Sequence, residues 1–346
     1  MTQLMAADFA PPLAPTPVAQ TPVAQTPVAQ TPASGVSAIR PGRRRLGESE
    51  LRVFPLAIGG NVFGWMADID ATNGILDGYL ELGGNFVDTA DSYADGRSEI
   101  MIGNWMHGRH NRADIVLATK VGKSADNPGV TESAIARAVD ASLTRLQTEY
   151  IDLLYLHIDD ESVPFEETLL AADEQVRAGK VRYLGVSDHS DNRVIEARVL
   201  AAQLGLTPLV AMQSHYNLVH RFAYEGRLAQ IAAQQHLGVM PRFSLAGGFL
   251  AGTYRSKADL GRRGPGTDAI RYLNRRGLRI LASLDRIAAE HRVCVATIAI
   301  AWLLTKPQVV APVASARHSG QVPDLMAAAR LQLTRHQVAE LDRVSG

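Results

Sequence analysis

Four residues of this 346-residue chain have the types and order needed for proton transfer without a metal: Asp88, Tyr93, Lys120 and His157. Asp88 and Tyr93 lie in Asn85-Phe-Val-Asp-Thr-Ala-Asp-Ser-Tyr93, Lys120 closes Asp114-Ile-Val-Leu-Ala-Thr-Lys120, and His157 follows Leu153-Leu-Tyr-Leu. A free phenol, with a pKa near 10, is a poor acid or base at neutral pH. An ammonium beside a phenol stabilises the phenolate, and a carboxylate allows that ammonium to persist in a dry site. An imidazole beside the phenol can hydrogen-bond and orient a carbonyl oxygen. Such a set protonates a developing alkoxide, and the complementary step is hydride delivery from a nicotinamide. Singly, each residue has a structural explanation: a snorkelling lysine, a satisfied interior histidine, a capping aspartate. Their shared position at the ends of apolar runs argues for a site. His107, His110, His157, His189, His215 and His220 show no metal-ligand spacing, so no metal is expected.

For these residues to meet, the apolar runs must be strands ending at one rim. Strand candidates cover 53–58, 85–89, 115–120, 151–157, 183–187, 210–214, 239–243 and 309–314. Helical patterns cover 71–82, 99–107, 131–146, 165–178, 191–204 and 227–236, with further ones at 275–291, 296–304, 324–329 and 335–344. Gly83-Gly84, Gly179 and Gly205 stand where helix C-caps belong, and Thr131 is a good N-cap. Strict alternation of strand and helix means parallel strands with right-handed crossovers. Eight such units predict a closed (β/α)₈ barrel with extra C-terminal helices, whose site lies at the C-terminal ends of its strands. The rival is an open doubly wound sheet with a dinucleotide turn. Gly59-Gly60-Asn61-Val62-Phe63-Gly64 has the wrong glycine spacing for that turn, so the barrel is preferred.

Residues 39–346 are read as this barrel and residues 1–38 as a separate tail. In the tail, Thr-Pro-Val-Ala-Gln recurs in tandem from Thr16 to Gln30. Proline at every fifth position opposes both helix and sheet, so the expectation is a disordered, solvated segment. Lys+Arg and Asp+Glu both number 35, a balance that argues against a nucleic-acid surface. Cys294 is the single cysteine, which excludes an intrachain disulfide, and it reads as a small buried residue at the start of an apolar helix. The longest apolar run, 293–304, is too short for a membrane span. No secretory signal is legible at Met1, so a cytoplasmic location is expected.

With the elements placed, the motifs resemble those of the aldo-keto reductases, most closely the bacterial long-chain branch. Gly84-Asn-Phe-Val-Asp-Thr-Ala-Asp-Ser-Tyr-Ala-Asp-Gly-Arg-Ser-Glu99 is similar to the segment that carries that family's catalytic Asp and Tyr. Leu117-Ala-Thr-Lys120, Tyr150-Ile-Asp-Leu-Leu-Tyr-Leu-His157 and Gly179-Lys-Val-Arg-Tyr-Leu-Gly-Val-Ser187 resemble the segments that follow, over about residues 43–346. The resemblance implies reduction of a small-molecule aldehyde or ketone, with Tyr93 as general acid, Lys120 beside it, Asp88 paired with Lys120, and His157 positioning the carbonyl. It implies that Ser187, Asp188 and Gln213 meet a nicotinamide carboxamide. Arg242 or Phe243 would stack on the ring, and Ser244 and Leu245 would be further cofactor contacts. Arg317 and Gln321 would grip the adenosine phosphate end, and Ser315 and Asp324 would be further cofactor contacts. An Arg at 317 suits a 2′-phosphate, so NADPH (NADP⁺) is expected over NADH.

Three positions depart from the family pattern. Asp188 replaces an Asn, and an ionised carboxylate accepts hydrogen bonds but donates none. Arg242 stands where an aromatic stacks on the nicotinamide. A bare cation there would repel the oxidised ring and favour the reduced cofactor; a one-residue shift would instead give the stacking role to Phe243. Asp324-Leu325 replaces an Asn of the adenine segment. Trp65 and Met66 are candidates for an apolar substrate wall, and residues 255–274 for a flap. Two rival readings exist. An NADPH-binding regulator with little turnover would keep the same residues. A glycosidase would need two free carboxyls across one bond, whereas Asp88 is committed to Lys120.

Overall fold

The computed structural model of the protein describes residues 42–259 and 267–346. The repeat tail expected over 1–38 and the centre of the expected flap, 260–266, lie outside the described residues. The chain forms a (β/α)₈ barrel. Its strands are β3 (Ala57–Gly59), β4 (Phe86–Asp88), β5 (Val116–Val121), β6 (Ile151–Leu156), β7 (Val181–Ser187), β8 (Leu209–His215), β9 (Gly238–Arg242) and β10 (Val313–Ala314). They pair in parallel in the order β10-β3-β4-β5-β6-β7-β8-β9. Closure between β9 and the segment before β10 rests on two bonds, Val239 N–H to Gln308 O at 2.8 Å and Val310 N–H to Val239 O at 2.9 Å.

Alternation along the strands sorts the side chains. Phe86, Ala118, Leu153, Tyr155, Ala211 and Met240 form one interior cluster. Residues of the same parity at the C-terminal ends are Asp88, Lys120, His157, Ser187, Gln213 and Arg242. The outward positions pack under helices, as Leu154, Leu156, Leu184 and Met212 do. Those helices begin and end for local reasons. In Glu132–Leu146 (α3), the Thr131 hydroxyl accepts from Ala134 N–H, and Ala134, Ile135, Ala138, Val139, Ser142 and Leu146 form the buried stripe. Arg335–Ser345 (α10) starts with a full capping box between Thr334 and Gln337. Cys294 is half-buried at the N-cap of Val295–Leu304 (α8) rather than sunk in the core, its Sγ 3.0 Å from Thr297 Oγ1.

Two expected strands are divided. The run 53–58 is not one strand: Arg44–Arg45 (β1) and Arg52–Val53 (β2) make an antiparallel hairpin, and the barrel strand starts only at Ala57. Pro55, without an N–H, cannot join a ladder. Asn85 bridges the break, accepting from Phe54 N–H and donating to Arg52 O. Pro312 likewise confines the last ladder to Val313–Ala314. The hairpin lies across the N-terminal end of the barrel, where Leu46, Leu51 and Val53 join the interior cluster. Gly47 at its turn has φ +53°, and a Cβ there would sit 2.1 Å from Val210 O, so only glycine fits.

Candidate active site

Lys120 is fully buried, and its ammonium is held by three acceptors at the top of the interior column. Nζ lies 2.7 Å from Asp88 Oδ2, 2.8 Å from Thr89 O and 3.4 Å from Tyr93 Oη. Burial alone disfavours the charged form. Asp88 and Tyr93 outweigh it, and the Lys120 pKa is held above the ordinary lysine value. Asp88 uses its other oxygen to accept from Gln213 Nε2 at 3.0 Å, so both carboxylate oxygens are engaged.

The loop that carries Tyr93 is stitched to the strand that carries Lys120. Thr89 N–H donates to Ala118 O, Asp91 N–H donates to Lys120 O, and Asp91 Oδ2 accepts from Gly122 N–H at 3.1 Å. Beyond Tyr93, Ala94 and Asp95 take left-handed φ of 50° and 56°, followed by Gly96 at 81°. Such consecutive backbone strain is held only where the surroundings over-determine it. Here the next helix, Arg97–Arg109 (α2), supplies the anchor. Its Glu99 is fully buried, accepts from Thr119 Oγ1 at 2.6 Å and pairs with Arg145 at 2.7 Å. Asp91, buried beside it with Oδ1 unpartnered, is pushed up to about 6 by burial and then by Glu99.

His157 stands edge-on to Tyr93, ring centroids 6.2 Å apart at 80°. Its Nδ1 is buried without a partner. Burial, then Lys120, Lys123 and Arg242, push its pKa down to about 2, so the imidazole is neutral at physiological pH. A neutral ring offers one N–H to a carbonyl oxygen and does not compete for the Tyr93 proton. Tyr155, two residues below on the same strand, was not singled out in the sequence. Its hydroxyl is buried and unpartnered, and its ring lies 5.9 Å from Lys120 Nζ. The alternation that selects Leu153 and His157 selects Tyr155 too.

Next to this cluster are the residues expected to meet a dinucleotide. Ser187 is 1% exposed, and its Oγ has no partner. That orphaned hydroxyl fits a ligand amide, the group the resemblance assigns there. Arg242 is not a bare cation. It binds Asp188 side-on, Nε to Oδ1 at 2.9 Å and Nη2 to Oδ2 at 2.6 Å, so the expected repulsion of an oxidised ring by an isolated charge does not apply. Register separates Arg242 from Phe243: Arg242 has the inward parity, whereas Phe243 packs edge-on against His215 at 5.1 Å and joins the outer core. Ser244 Oγ turns back to Pro241 O, and Leu245 is half-buried between the two outer clusters.

At the eighth strand, Ser315 Oγ bonds Asn61 Oδ1, a contact the sequence did not signal. Arg317 is exposed, and Gln321 Oε1 accepts its backbone N–H at 2.8 Å, fixing the loop. Asp324 is exposed in the first turn of Val322–Ala327 (α9), and its carbonyl accepts from Thr297 Oγ1. Trp65, after the first barrel strand, is 65% exposed. The described part of the flap is tethered, since Arg255 grips Asp285 with two bonds of 2.6 and 2.7 Å.

A parallel eight-stranded barrel with a buried Asp88–Lys120 pair reaching a half-buried Tyr93 at its C-terminal rim defines a narrow class of protein, and comparison with known sequences agrees. The chain belongs to the Aldo/keto reductase family, whose sequence model matches residues 55–345. Among its relatives is norsolorinic acid reductase of Aspergillus flavus, 33% identical over 309 residues, covering 84% of this chain and 78% of that protein. An aryl-alcohol dehydrogenase of Pestalotiopsis microspora is 31% identical over 323 residues, 87% and 82% of the two chains. A probable voltage-gated potassium channel subunit beta of Arabidopsis thaliana is 32% identical over 295 residues, 82% and 90%. The chain is therefore an oxidoreductase by family, on a fold whose described residues include no single helix long and apolar enough to cross a membrane.

Proposed function

We propose that this protein reduces an aldehyde or ketone to an alcohol with NADPH, using Tyr93 as the general acid. The observation that carries the reading is the fully buried Lys120 ammonium bonded at once to Asp88 and Tyr93. A cation fixed against a phenol oxygen stabilises the charge left there when the proton departs. Asp88 keeps the ammonium in place, and Gln213 holds Asp88. His157, neutral, donates to the substrate oxygen and holds it near Tyr93 Oη. When bound, NADPH supplies the hydride. Ser187 and Gln213 are the residues that would hold its carboxamide, and Arg317 and Gln321 its adenosine phosphate end. Trp65 presents an apolar face suited to an aliphatic or aromatic carbonyl compound.

The potassium channel relative favours a second reading, in which NADPH binds tightly but turnover is slow and the barrel reports redox state to a partner. One assay series separates the two. NADPH and NADH are titrated against the protein, and absorbance at 340 nm is followed across a panel of aldehydes and ketones. The first reading expects turnover on some of the panel, lost in Tyr93→Phe with NADPH affinity retained. Tight NADPH binding with no turnover on any carbonyl supports the second. Near-normal rates in Tyr93→Phe overturn the mechanism.

A further inference from the structure

Asp188 and Arg242 close the ends of strands that do not touch, since β7 and β9 flank β8. The pair therefore spans the mouth of β8, across the row of Ser214 and His215. Its geometry is built rather than incidental. Asp188 takes φ +57°, a left-handed conformation that Asp and Asn adopt more readily than other non-glycine residues. Its N–H donates to Gln213 O at 3.0 Å. The guanidinium meets the carboxylate through two bonds, 2.9 and 2.6 Å, the side-on bidentate arrangement that fixes both planes. The two side chains are 33% and 36% exposed, so the pair is part-screened and faces the opening. Directly inward of Asp188 lies the orphaned Ser187 hydroxyl.

We infer that the Asp188–Arg242 pair is a charge-neutral clasp beside the nicotinamide that sets the relative affinity for oxidised and reduced cofactor. This rests on the cofactor reading above. The two cofactor forms differ at this place by one positive charge on the ring. An isolated guanidinium beside the ring opposes the oxidised form, and an isolated carboxylate favours it. Bonded to each other, they cancel, and the site discriminates little between substrate and product cofactor. Other groups that interact electrostatically with the pair are Lys123 after β5, His157 after β6, His189 beside Asp188, and His215 and His220 around the end of β8. Burial holds these imidazoles below the ordinary histidine value, so Lys123 is the standing cation among them, with Asp91 as well as Asp188 acting on it.

The test is the ratio of Kd for NADP⁺ to Kd for NADPH, measured by fluorescence titration of the purified full chain at low and high salt. Asp188→Asn keeps the side chain's shape and removes its charge; the ratio rises on the order of tenfold or more. Arg242→Gln shifts the ratio the opposite way, toward NADP⁺. The double variant returns it to near the wild-type value because the two opposite shifts cancel, whereas packing damage from the two substitutions would accumulate. Both shifts shrink in high salt. Single variants that move the ratio in the same direction, or not at all, overturn the clasp while leaving the reductase reading intact. A wild-type protein that binds neither cofactor overturns the reading on which the clasp rests.

Discussion

The Lys120 ammonium lies closer to the Asp88 carboxylate, at 2.7 Å, than to the Tyr93 hydroxyl, at 3.4 Å. The short, charge-assisted bond is the tether, and under the proposed mechanism the long one would tighten as the phenol oxygen gains charge. Removing the ammonium leaves Asp88 buried with Gln213 as its donor. Lys120→Met therefore loses turnover and destabilises the barrel by about 3–5 kcal/mol. Adding Asp88→Asn restores stability without restoring turnover. Urea midpoints and steady-state rates on the three variants check this, and an unchanged midpoint in Lys120→Met would refute it.

His157 gives a stability signature of its own. Its folded pKa, about 2, is below the unfolded value of 6.5. The unfolded chain thus binds more protons between these limits, and stability contributed by the neutral ring is lost as pH falls below 6.5. His157→Gln lowers that acid sensitivity. In the wild type, the imidazole stays neutral from pH 4 upward by NMR, and no inflection in the pH–rate profile belongs to it. A His157 titration near pH 6.5 would contradict the buried, cation-flanked environment.

Asp91 acts with the opposite sign. Its pKa is raised from 3.8 to about 6, so the native state holds the extra proton. The associated stability is present below pH 3.8 and lost as pH rises through 6, corresponding to at most about 3 kcal/mol. Asp91→Asn keeps an acceptor for Gly122 N–H and removes the ionisation. Thermal melts of this variant gain on the wild type above pH 6 and match it near pH 4. A loss at every pH would show that the Asp91 carboxylate is needed for more than its bond to Gly122.

Arg317 is exposed, and its loop is fixed through Gln321 rather than through its own guanidinium. Arg317→Ala should leave the fold untouched and weaken NADPH by about tenfold or more, with little change for NADH. Equal losses for both cofactors would remove the case for 2′-phosphate recognition.

Most of the barrel is legible along the chain, because each element announces itself within a dozen residues. Thr131, Gly205 and the apolar runs that end in Asp88, Lys120 and His157 are local signals, and the elements lie where those signals put them. What escaped reading depends on distance in sequence. The Gln213–Asp88 bond joins residues 125 apart, and the Arg242–Asp188 pair residues 54 apart. The substitutions at 188 and 242 are visible one at a time as departures. That they answer each other is visible only once β7 and β9 are set on either side of β8. The hairpin was hidden differently: Pro55 divides an apolar run that hydrophobicity alone presents as one strand.

The hairpin β1–β2 gives the barrel a floor. With Leu46 and Leu51 across one end, the interior column is stoppered there, and Lys120 sits at the opposite edge, above a cluster that includes Tyr155. Under the proposed mechanism, the proton that resets Tyr93 would then arrive from the rim that also admits substrate, and chemistry and exchange with solvent would take turns there.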